Sequence, residues 1–337
     1  MKAVMFRGVG KPLTLERIDE PAPGTGEMVI KVGRCGICGS DVCLTQEHGF
    51  FPENIVLGHE FAGEVVALGS GVEGFKVGDR VTAMPATGCG QCLSCLTVGP
   101  WLCERGVIPG GGGFAEYARV AASSSIRLPA SLSLGDGALV EPLAVALHGV
   151  RLAGIGPGSR VLVLGAGSIG QACTYWARRF GAGRIVVASR SSRRMEMAMS
   201  MGADAFVETG EGEQQRIAEA LGGPPDVVLE CIGAVGALGH SIQLVRPLGT
   251  VVSLGFCTRP DPVLPAMATF KQVRLVFSMA YSLSEFQLVA DTLDRGHLEP
   301  RRMVSGPIAL EQVPDTIERL RSASSDGKIH VDPWLGA

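Results

Sequence analysis

Four cysteines fall within fifteen residues of one another, Cys89, Cys92, Cys95 and Cys103, in the segment GCGQCLSCLTVGPWLC. Zn²⁺ in a structural role prefers a closed tetrahedral cage of thiolates, and two x2 spacings followed by a longer return let a single loop wrap one ion. The alternative is four free buried thiols. With ten cysteines in the chain and no export segment, metal ligands and buried thiols are the expected use of cysteine, because a reducing compartment does not maintain disulfides. A structural zinc that holds a loop is the expectation here.

A second, dispersed set comprises Cys38 in CGICGSD, His59 and Glu60 in LGHEFAGEV, and Glu141 in LVEPLAVALHG. One thiolate, one imidazole and one carboxylate leave a coordination position of Zn²⁺ open for water or substrate, which is the composition of a catalytic site. Taken singly, Cys38 also reads as a buried thiol, His59 as a satisfied core histidine, and Glu60 and Glu141 as surface or helix acids. His148, seven residues past Glu141, is a lesser candidate read as structural.

Gly165, Gly167 and Gly170, with Ser168 and Ile169 between them, follow the apolar run RVLVL and open a helix-length segment. The first glycine makes a tight turn, the second admits a pyrophosphate close to backbone, and the third lets helix pack on strand, with the anion at the helix N-terminus. About twenty residues on, where an acid would bind the ribose 2′-hydroxyl of NAD, the chain has Ser189, Arg190, Ser191, Ser192, Arg193 and Arg194. A hydroxyl and guanidiniums suit a 2′-phosphate, so NADP(H) is the expected cofactor, bound through Ser189, Arg190 and Arg194. The bland alternative has Arg193 and Arg194 merely solvating a helix start, where cations oppose the dipole.

Two kinds of element must position these groups. Residues 1 to about 150 alternate short β-branched runs (KAVMFR, MVIKV, EFAGEVVAL, DRVTAM, GGFAEYARV) with Gly/Pro punctuation, an irregular mostly-β region that ends in a helix starting near Ser133. From Arg160 the continuous apolar runs VLVLG, RIVVAS, DVVLE and TVVSLG alternate with helix-length segments such as SIGQACTYWARRFG and SRRMEMAMSMGA, the pattern of a doubly wound parallel sheet. Two helical segments, LSEFQLVADTLDRG and LEQVPDTIERLRSA, and a short strand, KIHVDP, follow; pattern alone does not say where they pack. At 337 residues two domains are expected. The uncharged apolar stretch Val161 to Ala177 is broken by glycines and too short for a membrane span, and the first residues lack a secretory pattern, so a cytoplasmic protein without membrane attachment is expected. A net charge of −3 gives no electrostatic reason for a nucleic-acid partner.

The residues CGICGSD (35–41), GHE (58–60), GVEGFKVGDRV (71–81), the four-cysteine lobe, GGFAEY (112–117), EPLAVALHG (141–149) and GAGSIG (165–170) together resemble the zinc-dependent medium-chain dehydrogenases/reductases, most closely the branch of sorbitol, threonine and 2,3-butanediol dehydrogenases. The resemblance implies an α/β Rossmann coenzyme domain over residues 150–285 and a GroES-like, mostly-β catalytic domain over 1–149 to which 286–337 return. It implies two zinc ions per chain: a catalytic one on Cys38 and His59, completed by Glu60 or Glu141, and a structural one on Cys89, Cys92, Cys95 and Cys103. It gives Ser40 the proton-handling hydroxyl beside the substrate oxygen and Asp41 the orientation of the ligand histidine. It also implies a small alcohol or ketone substrate and a homotetramer or homodimer.

Cys43 departs from the family pattern, since many relatives carry a relay histidine in the segment that reads SDVC here. A thiol with a pKa near 8.5 is a poorer shuttle than an imidazole, with His48 or solvent as substitutes, and an alkaline optimum for oxidation is expected. Phe50, Phe51, Pro85, Phe114 and Phe277 are candidate pocket walls, or equally core residues. The resulting expectation is hydride transfer between NADP(H) and a secondary alcohol, polyol or vicinal diol and its ketone. The rivals are a zinc-independent enoyl or quinone reductase on the same fold, opposed by the retained cysteines and His59, and a non-catalytic zinc-binding interaction protein, opposed by the acidic balance.

Overall fold

The computed structural model describes residues 1–46, 51–322 and 327–336, and it divides into two compact units, Met1–Glu141 with Ser282–Ala337, and Pro142–Tyr281. Among the described residues no helix is long and apolar enough to cross a membrane.

The first unit is GroES-like and mostly antiparallel β. Its hub is the strand Glu27–Gly36, which pairs antiparallel with Glu60–Leu68, Tyr117–Ala121 and Lys328–Val331. Alternate residues of these strands, among them Met28, Ile30, Val32, Phe61, Ile329 and Val331, enter one apolar core with Val4, Phe6 and Phe114. This alternation is what a half-buried antiparallel sheet requires. The hub strand runs straight into Ile37 and Cys38, and the Ile37 amide donates to the Ile329 carbonyl at 2.9 Å. The C-terminal strand therefore fixes the approach to the CGICGSD segment. Trp334 pins the tail further: its indole N–H donates to the Val32 carbonyl at 2.8 Å, Lys31 lies over its ring, and Tyr117 meets it edge-on. The tail packs in this unit, a placement that periodicity alone left open.

The second unit is a Rossmann sheet. Among the described residues six parallel strands lie in the order Ala205–Glu208, Arg184–Ser189, Arg160–Leu164, Val227–Glu230, Thr250–Ser253 and Arg274–Phe277, that is 3-2-1-4-5-6 in chain order. The four continuous apolar runs of the sequence are its four inner strands. The two edge strands, AFVE and RLVF, escape the pattern because they are only partly covered and so need not be apolar throughout. The segment SRRMEMAMSMGA is not one helix: a 3-10 turn at Ser192–Arg194 leads into the helix Met195–Ser200. The helix expected from Ser133 spans Leu134–Ala153.

Candidate active site and its two metal clusters

A five-residue helix, Gly39–Cys43, grows from the end of the hub strand. The Asp41 carboxylate accepts from the Cys38 amide at 3.0 Å, satisfying a first-turn donor, and it is fully buried. Its other oxygen lies 3.3 Å from Nδ1 of His59. That contact directs the opposite ring nitrogen, Nε2, toward Cys38 and Ser40, whose hydroxyl is 3.5 Å away. Burial alone would lower the pKa of His59, but the charges and hydrogen bonds of Asp41 and Cys38 raise it well above its ordinary value. A cation is therefore welcome at this imidazole.

Cys38, His59 and Glu60 bring one ligand atom each within 4.8 Å of one another. Glu60 opens the strand Glu60–Leu68 but is 1% exposed, an unusual position for a carboxylate. Two features admit it. Gly36 leaves the space, since a side chain there would meet Glu60 Oε2 at 2.1 Å. Lys328, equally buried, donates to Glu60 Oε1 at 2.6 Å and to the Ile37 carbonyl at 3.0 Å. Burial opposes the charge on Lys328, while Glu60, Cys38 and Glu141 raise its pKa. Glu60 Oε2 is left buried without a hydrogen-bond partner. A thiolate, an imidazole oriented by a carboxylate, and a carboxylate oxygen with an open lone pair suit Zn²⁺. Glu141 is buried in the same unit but is not part of this cluster, and neither is His148.

The four lobe cysteines also bring their sulfurs within 4.8 Å of one another. The Cys89 and Cys95 sulfurs stand 4.0 Å apart, against about 3.8 Å for two thiolates on one tetrahedral Zn²⁺. Backbone N–H groups of Cys92 and Cys95 donate to the sulfurs of Cys89 and Cys92, and the Cys89 amide donates to that of Cys103. Such donors from Gln91 and Cys92 bring Cys89 down to about 6, while burial pushes Cys95 up to about 12. Backbone donors thus favour the thiolate form at Cys89 and Cys92, while burial opposes it at Cys95.

In the second unit, Gly165 sits in the left-handed region and Gly167 caps the helix Ser168–Arg179, with Ile169 in its first turn. A side chain at Gly170 would meet the Gly165 carbonyl at 1.8 Å, so helix and strand approach as closely as the glycine pattern demands. Arg194 donates from Nη1 to the Ala166 carbonyl at 3.3 Å, and the Gln171 side-chain amide donates to the same oxygen at 3.3 Å. Ser189 ends the second strand and Arg190 is exposed beside it. Glu208, opposite Ser189 on the third strand, accepts from the Ser192 amide at 2.9 Å. An acid missing from the end of the second strand is thus present on its neighbour.

The candidate wall residues sit in different settings. Phe114 is fully buried in the first unit's core, Pro85 is buried, and Phe51 packs against Phe6; Phe277 is 65% exposed on an edge strand of the other unit. Apolar residues answer to the core first, and of the two readings open for Phe114 its burial favours the core. Phe50 and His48 lie outside the described residues. Cys43 is exposed at the end of its short helix. Lys328 and Glu208 escaped sequence reasoning. The signal for Lys328 was a lysine opening the short strand KIHV, which reads as surface until its burial is known.

The alcohol dehydrogenase GroES-like domain profile matches residues 24–130, and that of a zinc-binding dehydrogenase matches 168–295. The chain belongs to the zinc-dependent medium-chain dehydrogenase/reductase family. Solved relatives include a zinc-binding dehydrogenase from Sinorhizobium meliloti 1021 bound to NADP (34% identity, TM-score 0.89) and 2R,3R-butanediol dehydrogenase from Bacillus subtilis (31%, 0.87), each match covering 98% of this chain and 99% of the other. A protein named "Probable D-xylulose reductase A" from Aspergillus clavatus is 32% identical over 322 residues, 90% of either chain. The chain is thus an oxidoreductase whose relatives carry alcohol and polyol activities.

Proposed function

We propose that this chain is a zinc-dependent dehydrogenase that transfers hydride between NADP(H) and a secondary alcohol, polyol or vicinal diol and the matching ketone. The observation that carries the reading is the convergence of Cys38, His59 and Glu60 beside the Ser40 hydroxyl, with Asp41 behind the imidazole. Zn²⁺ held by those three residues would supply Lewis acidity to a substrate oxygen. Asp41 keeps the His59 ring turned and its Nε2 available. Ser40 takes or returns the proton of the substrate hydroxyl, being the hydroxyl next to His59 Nε2. Lys328 holds one oxygen of Glu60, so that only the other is free to ligate. Of the two acids open to the site, Glu60 is favoured over Glu141 because it shares the cluster. Cys89, Cys92, Cys95 and Cys103 would hold a second zinc and stabilise their loop.

Gly165, Gly167, Ser168, Ile169 and Gly170 suit the pyrophosphate, and Ser189, Arg190 and Arg194 the 2′-phosphate. The NADP-bound relative at 34% identity supports this choice. NADH is the second reading, favoured by Glu208 beside Ser192. A homo-oligomer is consistent with the exposed Phe277 on the sheet edge.

The test is metal analysis together with NADPH and NADH oxidation, followed by nicotinamide absorbance, over ketones, ketoses and diketones with and without chelator. Two zinc per chain and chelator-sensitive turnover favouring NADPH are expected. One zinc and chelator-insensitive turnover would point to the reductase rival. Arg190→Ala with Arg194→Ala should cost NADPH affinity and spare NADH; equal losses would defeat the 2′-phosphate assignment.

A further inference from the structure

The first unit contains a cleft of about 220 Å³ that neither the metal clusters nor the glycine loop uses. Arg34, Gly135, Asp136, Arg301 and His330 line it. Its hydrogen-bonding capacity is lopsided. The Asp136 carboxylate is occupied: Arg301 donates to both oxygens at 2.6 and 2.8 Å, and the Ser133 amide and hydroxyl donate to Oδ2 at 2.7 Å each. Asp332, which pairs with Arg34 at 2.6 Å, also accepts from the Trp334 amide. The carboxylate in the wall, Asp136, and the one that pairs with Arg34 are therefore spent, while donors remain. Arg301 and Arg34 each keep a guanidinium nitrogen outside those pairs. Gly135 is in the first turn of the helix Leu134–Ala153, where backbone N–H groups have no intrahelical partner.

His330 is the second, independent observation. It is 3% exposed, yet its Nε2 is buried without a hydrogen-bond partner. Its Nδ1 faces Gly135, at 3.9 Å from where a side chain there would begin. Burial first, and then the positive charges of Lys328 and Arg34, push its pKa down to about 3, against an opposing effect of Asp136. The field that refuses a proton at this imidazole is one that an anion would relieve.

We propose that this cleft is a binding site for a small tetrahedral oxyanion, a phosphate ion or the phosphoryl group of a small metabolite. Arg34, Arg301, the first-turn amide of Gly135 and the neutral imidazole of His330 supply the donors. A helix N-terminus flanked by guanidiniums is a favourable seat for such a group. The inference does not depend on the dehydrogenase reading.

Calorimetric titration of the whole protein with inorganic phosphate, under saturating NADPH so that the dinucleotide loop is covered, tests it. One phosphate per chain is expected, with the His330 imidazole resonances moving in step. Arg301→Gln should weaken binding about tenfold, the size of one charge-assisted hydrogen bond lost. Should Arg301→Gln fail to fold, Gly135→Ala keeps the test open: its methyl meets only Ser133 Oγ at 3.5 Å and His330 Nδ1 at 3.9 Å, and it should weaken binding several-fold at unchanged melting temperature. A parallel titration with glycerol phosphate separates the sources: tighter binding than phosphate marks a phosphorylated metabolite, weaker binding the free ion. Absence of binding, loss of binding under NADPH, or binding indifferent to both variants would overturn the proposal.

Discussion

The Nζ of Lys328 lies 2.6 Å from Oε1 of Glu60, and both side chains are sealed from solvent. A buried pair of this kind is weak evidence for stability, because desolvation offsets much of the attraction, but removing one partner strands the other. Lys328→Met should therefore destabilise the chain by about 3–5 kcal/mol, read from urea midpoints. The double variant Lys328→Met, Glu60→Leu should recover most of that loss. A single variant no less stable than the parent would show the pair to be dispensable.

The four-cysteine lobe is expected to hold a loop and to take no part in turnover. Cys92→Ser should release one zinc of two and open residues 93–102, with Leu93, Leu96 and Leu102 already exposed, to proteolysis. Turnover per folded molecule should stay within a few-fold of the parent. Loss of both metals, or of all activity in still-folded protein, would contradict the division of labour.

Gly170 offers a sharper steric test. A methyl group there would sit 1.8 Å from the Gly165 carbonyl oxygen, which is backbone and cannot swing away. Gly170→Ala should cost roughly 1–3 kcal/mol of stability, as overpacking does, and should weaken NADPH binding, measured by fluorescence titration.

Stability should also depend on pH through His330. Its pKa falls from an ordinary 6.5 to about 3 in the folded chain. Between those values the unfolded chain binds a proton that the folded chain refuses, so stability falls as pH drops through this window, by up to about 1.4 kcal/mol per pH unit. Urea midpoints from pH 7 to 4 should show this slope, and His330→Gln should flatten it.

Cys43 is exposed where many relatives carry a relay histidine. Cys43→His should shift the optimum for alcohol oxidation from alkaline toward neutral pH, because an imidazole exchanges protons there more readily than a thiol. Identical pH–rate profiles for parent and variant would remove Cys43 from the proton path.

The sequence carried the Rossmann sheet where its strands are buried on both faces, and lost it at the edges, where AFVE and RLVF mix polar and apolar residues. Short-range spacing made the cysteine lobe and glycine loop legible, since each is built from one segment. Cys38, His59 and Glu60 come from two segments, and composition suggested them without showing that they meet. Lys328 was out of reach: it arrives from nearly three hundred residues away, and nothing local marks a lysine that will be buried. Phe114 stayed open between core and pocket wall, because a large apolar side chain serves either equally well, and only its burial decides.

The pairing of Lys328–Val331 with the hub strand has a consequence for synthesis. On the ribosome, residues 142–281 emerge as one uninterrupted stretch with all the strands of their sheet, and they are free to fold while the chain is still growing. Residues 1–141 have no such freedom, because two strands of their sheet, Val304–Ile308 and Lys328–Val331, and the cation that neutralises Glu60 are made only after residue 281. The earlier-made strands thus wait for later ones, and a product stalled before residue 304 would carry a finished Rossmann sheet while Glu60 still lacked its buried counter-charge.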